Sequence, residues 1–149
     1  MHRLFGWLQV GEVVPIGGDP AETRASYPWL AAHPHLHGCA RRPNNTVYIA
    51  TECLEIEGLR DLPGAGLFAG NGKFRTLTAP ESTKRSKWRL PASLWPAEGP
   101  PRLSYHAKES RWRRSGEWVY LDTAGRGQDF VYDADGGPEA MDWIGELFA

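Results

Sequence analysis

Over residues 3–14 apolar side chains occupy both sides of a two-residue alternation. Phe5, Trp7 and Val13 fall on one face, and Leu4, Leu8, Val10 and Val14 on the other. The pattern predicts a strand covered from both sides, with Gly6 and Gly11 as places for a bend or bulge. Pro15 and Gly17-Gly18 end it. Asp19 is a candidate cap for a short helix that has Pro20 at its first position and runs through Glu22 and Arg24 towards Ala32. Pro28 limits how regular that helix is.

Farther on, His33-Pro34-His35-Leu36-His37 and Arg41-Arg42-Pro43-Asn44-Asn45 read as loop, followed by a strand over 46–50 and a short one over 53–56. Residues 67–77 read as a hairpin turning at Gly70-Asn71-Gly72. The stretch 78–101 is punctuated by proline and reads as irregular. Further strands are expected at 103–105, 118–122 and 129–132. The last element is a helix with Pro138 first and Glu139 in the first turn, where the helix dipole favours an acid. Met141, Ile144, Leu147 and Phe148 form its apolar stripe. With no repeat and no linker, the expectation is one α+β domain over residues 1–149. It would be a small, strongly bent, mostly antiparallel sheet carrying about two helices. The first strand, ending in Gly11-Glu12-Val13, also weakly resembles PUA-like modules, which implies a PUA-like barrel as one form of the sheet.

Composition narrows the class. The chain has 149 residues, 41% of them hydrophobic, enough for a core at this length. Seven Trp, five Tyr and five Phe argue against a disordered chain, and 17 Lys+Arg against 18 Asp+Glu exclude a uniformly basic coat. No apolar run approaches the ~18 residues of a membrane span, no signal-peptide pattern is evident, and no membrane partner is expected. Cys39 and Cys53 are isolated, without a CxxC, so neither a disulfide framework nor a zinc site is indicated. A cytoplasmic location is the resulting expectation.

The balanced total conceals two opposed segments. From Lys84 to Arg114 there are nine bases and two acids, a net of +7, interleaved with Trp88, Trp95, Tyr105 and Trp112. From Asp129 to the end there are six acids and no Lys or Arg. Cations that neutralise phosphates, set beside rings that stack on bases, suit a nucleotide or nucleic-acid surface. The competing reading is that the acidic tail folds back and neutralises the basic segment.

Recognised catalytic signatures are missing. There is no phosphate-cradling GxxxxGK[ST], no deaminase HxE with PCxxC, and no GxSxG elbow. Gly64-Ala65-Gly66-Leu67-Phe68-Ala69 fits G-x-G-x-x-A, but a β-rich segment follows it, so it is not read as a dinucleotide fingerprint, and no cofactor is implied. His33, His35 and His37 would face one way in an extended segment and form a candidate metal set. The preferred reading is one buried histidine with the others exposed, and no metal. Asn44 and Asn45 are candidates to read a base edge, against ordinary turn chemistry. Arg85, Trp88 and Arg89 bring two guanidiniums to one indole, and Tyr105 and His106, followed by Arg111, Trp112 and Arg113, repeat the theme. Arg126 and Gln128 flank a glycine where backbone can approach a ligand.

Several blocks together resemble one family, the nucleotide modification-associated domain, type three. They include Phe5-Gly6-Trp7-Leu8-Gln9-Val10-Gly11-Glu12-Val13, His33-Pro34-His35, Asn44-Asn45-Thr46-Val47-Tyr48-Ile49-Ala50 and Pro63-Gly64-Ala65-Gly66. Leu77-Thr78-Ala79-Pro80, Arg85-Ser86-Lys87-Trp88-Arg89-Leu90-Pro91, Leu103-Ser104-Tyr105-His106, Arg126-Gly127-Gln128-Asp129-Phe130-Val131 and Ala140-Met141-Asp142-Trp143 follow in order. The resemblance implies a link to systems that modify bases in bacterial and phage DNA. It also implies that this chain matches the C-terminal half of longer members, with a separate N-terminal half as a possible protein partner. The leading expectation is a nucleotide- or DNA-base-recognition module. An enzyme using His35 or His106 as general acid/base, and a structural partner of the other half, are the alternatives.

Overall fold

The computed structural model describes residues 1–16, 20–37, 45–70, 72–95, 99, 101–123, 130–134 and 138–149. Asn44, Arg126 and Gln128 lie outside the described residues, as do Asp19, Cys39 and Asn71. The fold is α+β, and its described residues divide into two compact units, one of Gly6–Gly66 and one of Met1–Phe5 with Leu67–Ala149.

In the smaller unit the expected long strand is two. β1 spans Gly6–Leu8 and β2 spans Val10–Pro15. They part at Gln9, whose backbone donates to Gly64 and accepts from Thr51. β2 pairs antiparallel with β3, Thr46–Ala50, and the register slips between Val10 and Glu12, placing a bulge at Gly11 as the glycine suggested. Helix α1 is short, Pro20–Ser26, because Pro28 opens a separate 3-10 turn, Pro28–Leu30. Ile16, Leu30, Leu36 and Val47 form the core here. Only Val14 of β2 is buried, so the expectation of a strand covered on both faces fails for this strand.

The Gly64 and Gly66 pair has a packing explanation. β4, Ala65–Leu67, pairs with β1. A Cβ on Gly64 would sit 2.0 Å from the Thr51 carbonyl oxygen, and one on Gly66 would sit 2.5 Å from the Trp7 ring. The Trp7 indole is held there by donating to the Pro63 carbonyl at 3.0 Å. The segment 53–56 forms only one isolated bridge, Cys53 to Pro63.

The larger unit is built on a three-stranded antiparallel sheet in the order β5, β7, β6, formed by Lys87–Pro91, Trp118–Asp122 and Trp112–Ser115. β7 occupies the expected span. β5 corrects the reading of 78–101 as irregular, and β6 is an element that its Arg113-Arg114 pair concealed, since charged residues seldom mark strands. A two-residue turn at Gly116-Glu117, with Gly116 at φ +59°, joins β6 to β7. The expected hairpin over 67–77 is instead β4 followed by a 3-10 turn, Lys73–Arg75.

Trp88 and Leu90 of β5, Val119 and Leu121 of β7, and Trp112 of β6 point inward and pack with Leu77, Leu94 and Leu103. A turn at Pro138–Ala140 leads into α2, Met141–Glu146. This helix anchors through Ala140, Trp143 and Leu147, whereas Ile144 and Phe148 are only partly buried. Arg75 is buried against the end of that segment. Its guanidinium donates to the Leu147 and Ala69 carbonyls at 2.7 and 2.5 Å and lies over the Phe68 ring. Among the described residues the sheets are small and separate rather than closed into a barrel.

Candidate nucleic-acid interface

Strand alternation sorts the basic and aromatic residues of the larger unit into two faces. The inner face takes Trp88, 1% exposed, and Trp112, 7% exposed. Both were expected to stack on a base, and both are core residues instead. The Trp112 indole donates to the His106 carbonyl at 2.7 Å, and the Trp88 indole donates to Nδ1 of His2 at 2.9 Å. Each polar handle is thereby satisfied inside the protein.

The outer face carries what the inner one does not. Tyr120 of the middle strand sits opposite Arg89 of β5 on one side and Arg113 of β6 on the other. The Arg89 guanidinium lies 4.4 Å from the Trp118 ring centroid, and that of Arg113 lies 5.1 Å from the Tyr120 centroid. Trp118 is 37% exposed. Two cations and two rings therefore alternate across one solvent face. Arg113 was among the expected guanidiniums, but Trp118 and Tyr120 were not among the expected site residues. The signal was the alternation in Trp118-Val119-Tyr120-Leu121, whose small aliphatics must point inward.

Glu81 borders this face, 4.0 Å from Arg89. Its carboxyl is held below the usual range, chiefly by its own backbone amide and further by the Tyr120 hydroxyl and the Arg89 and Lys87 charges. Among the described residues the acidic tail meets the basic segment through an ion pair of Arg102 and Asp133 at 3.5 Å. Lys84, Arg85, Arg113 and Arg114 have no carboxylate partner among the described residues.

Arg85 belongs to a different place, an open cleft of about 700 Å³ lined by the loop from Thr78 to Ser86. Tyr105 is 77% exposed and has φ +65°, the only non-glycine residue described with a positive φ. It is the third residue of a turn closed by the His106 amide on the Leu103 carbonyl at 3.1 Å, a position that favours glycine.

His106 is 1% exposed, and neither ring nitrogen has a hydrogen-bond partner among the described residues. Burial, with the Arg111 charge beside it, pushes its pKa below the ordinary 6.5. The ring packs edge-on against Trp88 at 5.3 Å, with no opening to a substrate. His35 is exposed, and its Nδ1 lies 3.2 Å from the Thr46 carbonyl, an acceptor, so Nδ1 donates there. Asn45 donates to the His35 carbonyl at 3.0 Å, a contact ten residues back along the chain that engages its side-chain amide within the protein. The His33 and His35 rings meet edge-on with centroids 5.2 Å apart, but Pro34–Leu36 is a 3-10 turn rather than an extended run, so His33, His35 and His37 do not face one way, and none is fully buried. Among the described residues no three His, Cys, Asp or Glu side chains are placed to hold a metal ion.

A small α+β protein with an arginine-aromatic sheet face is the class these features define. The chain belongs to the family described as nucleotide modification associated domain 3, whose model matches residues 1–133. The match begins at the first residue and stops before α2, which the sequence resemblance had included. No curated protein and no solved structure matches the chain. No helix among the described residues is long and apolar enough to cross a membrane.

Proposed function

We propose that this chain is a recognition module for nucleotides or DNA bases, working alongside base modification, and that the outer face of the three-stranded sheet is its binding platform. The observation that carries the reading is the pair of stacks, Arg89 on Trp118 and Arg113 on Tyr120, on one solvent face. Guanidiniums neutralise phosphates while indole and phenol rings accept unstacked bases, so the face suits single strands better than duplex. Family membership supports a nucleotide-related role.

The test is binding of single-stranded DNA, duplex DNA and free nucleotides at two salt concentrations. Single-stranded DNA should bind best, weaken as salt rises, and lose affinity in Arg89→Ala and Arg113→Ala. Unchanged affinity in both variants would remove the sheet face from the reading. The enzyme alternative now rests on His35, since its side chain is exposed whereas that of His106 is buried. Loss of a nucleotide-converting activity in His35→Ala, with binding retained, would favour it.

A further inference from the structure

We infer that the cleft formed by the loop from Thr78 to Ser86 is a second, separate site that takes a phosphate monoester. It lies in the same unit as the sheet face but is lined by other residues. Its charged lining is Lys84 and Arg85, neither of which has a carboxylate partner among the described residues. The loop's only acid, Glu81, does not line the cleft and is engaged instead by Arg89. An open cleft of about 700 Å³ with two unneutralised cations and no acid in its lining favours anions.

The hydroxyls divide by job. Thr78 accepts from the His2 amide at 2.6 Å and donates to the Arg85 carbonyl at 3.0 Å. Ser82 donates to the Lys84 carbonyl and accepts from the Lys84 amide, both at 3.1 Å. These two fix the loop. Thr76, Thr83 and Ser86 also line the cleft, and their hydroxyls make no hydrogen bond among the described residues, so they remain available to a ligand. Two cations, three spare hydroxyls and a loop already pinned suit the oxygens of a terminal phosphate, which carries more charge and more open acceptors than a diester. The cleft volume accommodates a mononucleotide.

His2 supplies a built-in reporter. Burial and then the Arg85 charge lower its pKa below the ordinary 6.5. A bound dianion beside Arg85 offsets that charge, so the His2 ring should titrate at higher pH in saturating phosphate.

The experiment is an NMR titration of the full chain with inorganic phosphate, a nucleoside monophosphate, the matching nucleoside, and a short single strand with and without a 5′-phosphate. Saturable binding of inorganic phosphate and the monophosphate is expected, with an upward shift of the His2 titration. Lys84→Ala and Arg85→Ala should each weaken it about tenfold. Arg89→Ala and Arg113→Ala, which report on the sheet face, should leave phosphate affinity unchanged. A gain from the 5′-phosphate on the strand identifies a strand end as the source, and no gain identifies a free nucleotide. The absence of saturable phosphate binding, or equal losses in all four variants, overturns the assignment. Either result leaves the sheet-face reading to its own test.

Discussion

Trp88 and His2 lie 86 positions apart, and the indole N–H of the first donates to Nδ1 of the second at 2.9 Å. Because an indole only donates, the neutral imidazole must carry its proton on Nε2. The His2 backbone holds the same region together, since its carbonyl accepts from the Leu77 and Thr78 amides. The contact therefore ties the first residues of the chain to β5, and it does so only while His2 is uncharged.

Acid should weaken the larger unit. His2 and His106 both have folded-state pKa values below 6.5. As pH falls below 6.5 the unfolded chain takes up their protons first, so stability is full above that value and declines below it. Thermal melts at pH 7.5 and pH 5 should show the lower Tm in acid, and His106→Leu should shrink the difference. At pH 7.5 that variant should keep or raise the Tm, because it removes two buried nitrogens that have no partner among the described residues. A Tm that is independent of pH in the unaltered protein would refute the assignment.

Tyr105 offers a trade between stability and binding. Its positive φ costs a non-glycine residue about 1 kcal/mol or more. Tyr105→Asn, which tolerates that backbone, should raise the Tm by a few degrees. If the exposed ring contributes to nucleotide binding, the same variant should bind less tightly. Lower stability in Tyr105→Asn would mean that the ring packs rather than protrudes.

Two tryptophans one strand apart should behave oppositely. Trp88→Ala empties a core position and should cost about 3–5 kcal/mol in denaturant unfolding. Trp118→Ala should cost little stability but weaken single-stranded DNA by about 1–3 kcal/mol. The reverse pattern would exchange the roles of the two faces.

Gly64→Ala should disrupt the smaller unit, since the added methyl carbon meets the Thr51 carbonyl at 2.0 Å. A loss of about 3 kcal/mol is expected, at the upper end for overpacking. Chemical-shift changes confined to residues 6–66 would locate the damage, and a fully stable variant would show that the close approach is relaxed in solution.

The sequence made β3, β7, the Gly11 bulge and the closing helix legible, because each rests on local alternation, a glycine or an N-terminal proline. It misplaced the stacking rings. Composition counts Trp88 and Trp112 as readily as Trp118, and burial separates them only once strand phase is known. β6 was hidden for a related reason, as its arginines resemble loop until Tyr120 is seen opposite Arg113. His2 had no local signal, since its importance comes from partners at Leu77, Thr78 and Trp88. Arg75 looked like any surface base, yet it is tied to the carbonyl of Leu147.

Glu81 already stands beside Arg89 as a resident anion. An arriving phosphate therefore exchanges with a carboxylate instead of recruiting a wandering guanidinium, and Arg89 stays laid across Trp118 between encounters. Such an exchange releases fewer salt ions than a count of cations implies. The dependence of affinity on ionic strength should be shallower than the +7 of the basic segment suggests, and it should steepen when Glu81 is replaced by glutamine.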